Sequence, residues 1–84
     1  FDLVNLKKLK LCGNKIKIIP SNIEKLVNLE VLNLDRNQIE ILPKEFCNLL
    51  NLKRLKLNDN QIYEMPIKIG NLLKLEILDL SNNS

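Results

Sequence analysis

Residues 29–51 read LEVLNLDRNQIEILPKEFCNLLN, and the same spacing of leucine, asparagine and proline recurs on both sides of them. The copy before is LKKLKLCGNKIKIIPSNIEKLVN, residues 6–28, and the copy after is LKRLKLNDNQIYEMPIKIGNLLK, residues 52–74. Each copy starts 23 residues after the one before it, without an insertion. A fixed period of about 20 to 29 residues indicates a solenoid, in which each repeat is buried by its neighbours.

The two ends of the chain carry incomplete copies of the repeat. Residues 1–5 (FDLVN) match the end of a preceding repeat, and residues 75–84 (LEILDLSNNS) match the first part of a fourth. The chain also opens on Phe1 rather than on methionine. We therefore predict a single repeat segment over residues 1–84, and we interpret it as a piece of a longer protein.

Each copy opens with alternating apolar and polar residues, which is typical of a short strand with one buried face. In the first copy this pattern points Leu9 and Leu11 inward, whereas it points Lys8 and Lys10 outward. Stacked coils would place such strands side by side, about 4.8 Å apart, in a parallel sheet. The predicted strands are Lys8–Leu11, Val31–Leu34, Arg54–Leu57 and Ile77–Leu80.

An asparagine follows each predicted strand, at Asn14, Asn37, Asn60 and Asn83. The chain must turn off the sheet at this point, and the turn leaves backbone groups that the sheet does not pair. A short amide side chain offers two donor hydrogens and an acceptor to such groups. We therefore predict a structural role for these four residues rather than a binding role.

The returning half of each copy contains a proline, at Pro20, Pro43 or Pro66. Proline fixes φ and lacks a backbone donor, so a regular α-helix through that point is disfavoured. Beyond the proline, apolar residues recur three positions apart, as in Ile23 and Leu26. One turn of 3₁₀ or α-helix would bury both, and the returning side is therefore predicted to hold short helical turns and extended pieces.

The L-x-x-L-x-L-x-x-N spacing, together with the phrase that follows it, resembles the leucine-rich repeat family. The second copy carries that phrase as LPKEFCNLLN, residues 42–51, which matches the L-P-x-x-I/F-x-x-L-x-N pattern of the typical 23-residue class. Similar phrases occur in Ras-group scaffolds, Scribble-like polarity proteins, plant intracellular Ras-group proteins and repeat proteins of some bacterial pathogens.

The resemblance covers the whole chain and has consequences for the fold. It implies an α/β leucine-rich repeat solenoid with a concave parallel sheet of short strands. It also implies 3₁₀ or short helical turns on the convex side. The asparagines after the strands would then form the asparagine ladder known in this family.

Residue types that support catalysis are scarce in this sequence. The chain contains no histidine, only two glycines, and two cysteines that do not form a C-x-x-C motif. It therefore lacks an imidazole base, a glycine-rich phosphate loop and a paired thiol nucleophile. We predict that the segment is not an enzyme, has no catalytic residues, and holds neither a cofactor nor a metal.

Charge and composition exclude two further classes of partner. The 13 basic and 10 acidic residues are interspersed and leave a net charge of +3, and the aromatic residues are Phe1, Phe46 and Tyr63. Nucleic-acid binding by stacking and clustered basic residues is not expected from this pattern. No apolar run approaches the roughly 18 residues that span a bilayer, so we expect no membrane insertion.

The two cysteines bear on the compartment. Cys12 falls beside a strand and Cys47 falls in the returning half, so they should lie too far apart for a disulfide. Unpaired thiols favour a reducing environment. We predict a cytoplasmic location, with secretion or display on the cell surface as the alternative.

The outward-pointing residues of the strands form the predicted binding face. A stack of coils curves so that its strand side becomes an extended concave surface, where outward side chains are free of packing. Basic residues among them favour a protein or peptide partner that carries acidic groups. The predicted partner-binding residues are Lys8, Lys10, Val31, Asn33, Asp35, Arg54, Lys56, Asn58, Ile77 and Asp79.

Three functions compete at this point. The leading prediction is a non-catalytic protein-interaction module of a scaffold or adaptor. The first alternative is the recognition domain of a larger enzyme, since similar repeats occur beside kinase, phosphatase and cyclase domains. The second alternative is a self-associating structural segment, because a fragment without polar caps could stack end to end through its exposed leucines.

Overall fold

Four three-residue strands alternate with three five-residue 3₁₀ helices in the computed structural model, which describes residues 4–83. The strands are β1 (Lys8–Lys10), β2 (Val31–Asn33), β3 (Arg54–Lys56) and β4 (Ile77–Asp79). The 3₁₀ helices are Ser21–Lys25, Lys44–Asn48 and Ile67–Asn71. The predicted repeat tail at residues 1–5 lies partly outside the described range, as does the last residue of the fourth copy.

The strands form one parallel sheet in the order β1-β2-β3-β4. The register joins residues 23 positions apart, as in Leu9 with Leu32 and Leu32 with Leu55. One repeat therefore makes one coil, and equivalent residues of successive coils are neighbours. This arrangement confirms the predicted α/β solenoid.

Each strand ends one residue earlier than the sequence predicts. Leu11 still donates its backbone N–H to the carbonyl of Asn33, at 2.8 Å, but the chain turns directly afterwards. The turn passes through a left-handed residue, with φ of 72° at Gly13 and 56° at Arg36. Because a left-handed residue cannot continue a strand, no strand can extend past this position of the coil.

The core consists of leucines stacked from coil to coil. Leu29, Leu32, Leu52, Leu55 and Leu57 are fully buried in the two middle coils. In the outer coils the equivalent leucines are only partly covered, and Leu78 on β4 is 37% exposed. Burial therefore comes from the coils on either side rather than from a single centre.

The proline begins each 3₁₀ helix in the returning half. Pro20, Pro43 and Pro66 all have extended backbone, with φ near −70°, and the helix starts at the next residue. Phe46 of the second 3₁₀ helix is completely buried, with Ile23 and Ile69 of the neighbouring helices partly buried against the same core. The convex side is thus built from 3₁₀ turns, as predicted.

The asparagines after the strands bond to backbone groups of two coils at once. The side-chain amide of Asn37 donates to the carbonyls of Leu34 in its own coil, at 2.9 Å, and of Leu11 in the preceding coil, at 3.1 Å. Its Oδ1 atom accepts the backbone N–H groups of Asn14 and Ile16, each at 2.9 Å. Asn37 is 7% exposed, so these bonds are made away from water.

The same pattern continues along the solenoid. Asn60 donates to Leu34 at 3.0 Å and to Leu57 at 3.2 Å, and its Oδ1 atom accepts the backbone N–H of Ile39 at 3.1 Å. Asn83 donates to Leu57 at 2.9 Å. Asn14, on the first described coil, is exposed and donates to Leu11 at 2.9 Å.

A second column of asparagines precedes the strands, and the sequence interpretation missed it. Asn28 donates its side-chain amide to the carbonyl of Val4 at 2.7 Å, and Asn51 donates to that of Val27 at 2.9 Å. Lys74 occupies the equivalent position of the next coil and donates to Oδ1 of Asn51 at 2.8 Å. Both turns of each coil, before and after the strand, are therefore tied to a neighbouring coil.

Replacing Leu32 with alanine should lower the free energy of unfolding by roughly 2–5 kcal/mol, because it leaves a cavity in a fully buried column. The matched control is Leu50→Ala, which removes the same atoms from a side chain that is 60% exposed. Surface substitutions of that kind change the free energy of unfolding by no more than about 0.5 kcal/mol. Denaturant unfolding measures both, and equal losses in the two variants would contradict the assigned core.

Replacing Asn37 with alanine should also destabilise the fold, by about 1–3 kcal/mol for each buried backbone group left without a partner. The control is Asn22→Ala in the first 3₁₀ helix, where the side chain is exposed. The measurement is again denaturant unfolding, with circular dichroism to follow the transition. A stability loss at Asn37 no larger than that at Asn22 would show that the column does not hold the coils together.

Candidate binding face

The outward residues of the strands form two rows that run along the solenoid. The row at the start of the strands contains Lys8, Val31, Arg54 and Ile77. The row at the end of the strands contains Lys10, Asn33, Lys56 and Asp79. Neighbours within a row lie on adjacent hydrogen-bonded strands, which are spaced about 4.8 Å apart. Eight of the ten predicted binding residues therefore share one surface.

A shallow groove of about 250 Å³ lies on this surface. Its lining contains four cationic residues and no acidic residue, so an anion is the ligand that its charge favours. The groove runs across β1, β2 and β3, while Asp35, Asn58, Ile77 and Asp79 lie outside its lining. The lining residues are Lys8, Lys10, Val31, Asn33, Arg54 and Lys56.

Two polar residues of the predicted face, Asp35 and Asn58, bond to the backbone of the next coil, and a third, Asn33, bonds within its own coil. Asp35 accepts the backbone N–H of Asn58 at its Oδ1 atom, at 2.7 Å. Asn58 in turn accepts the backbone N–H of Ser81, at 2.9 Å, and its hydroxyl, at 2.6 Å. Asn33 accepts the backbone N–H of Asp35, at 3.0 Å. The expectation that outward residues are free of packing is therefore wrong for these three.

One cation of the groove is paired with an acid of the protein itself. The Nζ atom of Lys56 lies 3.5 Å from Oδ2 of Asp35. The Asp35 side chain is only 16% exposed, and its other oxygen already accepts the Asn58 N–H. Both oxygens of this carboxylate thus have a partner within the protein.

The two predicted apolar contacts differ in exposure. Ile77 on β4 is 40% exposed, whereas Val31 on β2 is half-buried. Val31 has a strand on each side, with Lys8 and Arg54 as its register partners. Val31 therefore forms an apolar patch of the groove floor rather than a projecting anchor.

A column of exposed apolar residues on another surface was not anticipated. It occupies the same position in every copy and is formed by Val4, Val27, Leu50 and Leu73. Leu50 is 60% exposed and Leu73 is 90% exposed. The column could have been found from the sequence, because an apolar residue recurs at that position every 23 residues.

The described residues contain no metal-binding cluster, no disulfide and no membrane-spanning helix. Between residues 4 and 83, no group of three or more histidine, cysteine, aspartate or glutamate side chains is placed to hold a metal ion. Cys12 and Cys47 are free thiols and half-buried. None of the helices in the same range has the length and apolar character needed to cross a membrane.

Known structures resemble this chain over nearly its whole length. The leucine-rich repeat protein LIC12759 of Leptospira interrogans matches with a TM-score of 0.87 and 32% sequence identity. A plant peptide hormone receptor, RGFR1 in complex with RGF2, matches with a TM-score of 0.84 and 34% identity. The matches cover 98% and 95% of this chain, but only 27% and 13% of those two proteins.

Comparison with sequences leads to the same family. No curated protein matches the chain. A family model described as a leucine-rich repeat region matches residues 1–84. With four stacked parallel strands and three 3₁₀ turns on the opposite side, the chain belongs to the leucine-rich repeat family.

Proposed function

We propose that this segment is a non-catalytic protein-interaction module of a scaffold or adaptor, and that it binds an acidic protein or peptide on its concave face. The observation that carries the proposal is the groove across β1, β2 and β3, which four cationic side chains and no acidic side chain line. Membership of the leucine-rich repeat family supports protein interaction in general, and one structural neighbour is a receptor in complex with a peptide hormone.

The geometry supports a ligand that lies along the solenoid. Lys8 and Lys10 on β1 stand two strands away from Arg54 and Lys56 on β3, with Val31 and Asn33 between them. At about 4.8 Å per strand, the two pairs of cations are roughly 10 Å apart. A peptide that crosses the strands would contact the two lysines of β1 first. It would then contact the apolar and amide side chains of β2, and finally the two cations of β3.

Electrostatics in this groove would govern encounter and orientation more than affinity. Lys8, Lys10 and Arg54 are exposed, so water and salt weaken each individual contact. Charges farther apart than about 8 Å are largely screened at physiological ionic strength. Binding should therefore weaken as salt is added, and several cations must act together to produce a measurable effect.

Reversing the four cations of the groove, with Lys8→Glu, Lys10→Glu, Arg54→Glu and Lys56→Glu, should abolish binding of acidic peptides. The probe is a set of fluorescent acidic peptides, compared with basic peptides of equal length by anisotropy. The matched control reverses four exposed lysines outside the groove, at Lys17, Lys25, Lys44 and Lys68, and so changes the net charge equally. Circular dichroism must show the same fold in both variants.

Two results would contradict the proposal. An equal loss of affinity for acidic peptides in the two quadruple variants would mean that binding depends on the net charge of the protein and not on this face. Full retention of binding in the groove variant would place recognition on another part of the protein.

A further inference from the structure

The four cations of the groove are not equivalent, because Lys56 is paired with an acid of the protein itself. Lys56 lies 3.5 Å from Asp35. Within residues 4–83, no carboxylate lies within 4 Å of the side-chain nitrogens of Lys8, Lys10 or Arg54. An incoming anion therefore meets three cations without an internal partner and one cation that is already paired.

Asp35 is held in place by contacts within the protein. Its Oδ1 atom accepts the backbone N–H of Asn58 at 2.7 Å, and its own backbone N–H donates to Oδ1 of Asn33 at 3.0 Å. The side chain is 16% exposed. The hydrogen bond at Oδ1 and the limited exposure of the side chain restrict its movement and hold Oδ2 beside Lys56.

A second acid strengthens this asymmetry. Asp79 on β4 is the register partner of Lys56 on β3. Lys56 thus has an acid on two sides, Asp79 on the neighbouring strand β4 and Asp35 in the segment that follows β2. A ligand carboxylate that approached Lys56 would be repelled by both, and like charges at short range oppose binding.

We propose that the acidic groups of the partner bind Lys8, Lys10 and Arg54, and that Asp35 withholds Lys56 from the ligand and so determines where the acidic groups dock. This inference rests on the proposed function and names the subsite within it. Arg54 supplies a planar guanidinium that pairs with a carboxylate through two hydrogen bonds. Lys8 and Lys10 supply the second anion position, two strands away on β1.

The spacing of these cations describes the ligand. Arg54 and the β1 lysines are separated by roughly 10 Å at about 4.8 Å per strand. A peptide in the polyproline II conformation rises about 3.1 Å per residue and has three residues per turn, so acidic side chains three residues apart project on one side at about 9 Å. The ligand class is therefore an extended peptide with two acidic residues three positions apart.

The experiment uses a fluorescein-labelled peptide with the core Glu-Pro-Pro-Glu and measures its anisotropy with the protein at low salt. Asp35→Asn should tighten binding about two- to fivefold, which corresponds to the upper part of the range measured for ion pairs at protein surfaces. The asparagine keeps an oxygen to accept the Asn58 N–H, so the fold is preserved. Glu64→Gln changes the net charge equally in the returning half, outside the groove, and should leave the affinity unchanged.

A double-mutant cycle separates the role of Lys56 from that of net charge. In the wild-type background, Lys56→Gln should weaken binding less than Arg54→Gln does. In the Asp35→Asn background, Lys56→Gln should weaken it as much as Arg54→Gln. A peptide with the core Glu-Glu-Pro-Pro, which has adjacent acids, should bind more weakly than the first peptide to the wild-type protein.

The outcomes distinguish the inference from the proposed function. If the wild type binds neither peptide, or if the fourfold groove reversal does not affect binding, the proposed function itself fails. If binding depends on the groove but Asp35→Asn weakens it or leaves it unchanged, only the inference is overturned. Equal effects of Lys56→Gln and Arg54→Gln in the wild type would overturn it as well, and so would equal affinity for the two peptides.

Discussion

The hydrogen bonds that asparagine side chains make between coils are the constraint on which this solenoid depends. Each coil leaves its strand after three residues, and the turn leaves backbone N–H and carbonyl groups without a partner in the sheet. Asn37 and Asn60 satisfy these groups in two coils at once while they are almost completely buried. Buried polar groups are costly when unpaired, so the position admits few other side chains.

This constraint explains why the repeat length is constant. Side-chain bonds join Asn37 to the N–H of Asn14, 23 residues before it, and Asn58 to the N–H of Ser81, 23 residues after it. An insertion in one coil would shift the later coils and break such bonds, as well as the leucine columns. The outward row at the start of the strands carries no such bonds, and there the residue changes from Lys8 to Val31, Arg54 and Ile77. A constant core with a variable outward row can present different surfaces on one framework.

Much of the candidate face could be predicted because strand residues alternate between two sides. Lys8, Lys10, Arg54 and Lys56 point outward from the alternation alone, and they do line one groove. The alternation could not predict that Asp35 binds the backbone of Asn58 or that it pairs with Lys56. Those contacts depend on the direction of a side chain after the strand has ended, where the backbone turns through a left-handed residue and period two no longer applies.

The sequence by itself determined the number of strands, the parallel sheet and a short helical turn after each proline. Periodic spacing determines these features, because every coil must bury the same positions against the next. Only the tertiary structure decided that Val31 is half-buried, that Asn28 and Asn51 form a second column, and that Asp35 pairs with Lys56. These three features depend on distances between side chains of different coils. The packing of the coils sets those distances, and residue identity alone does not.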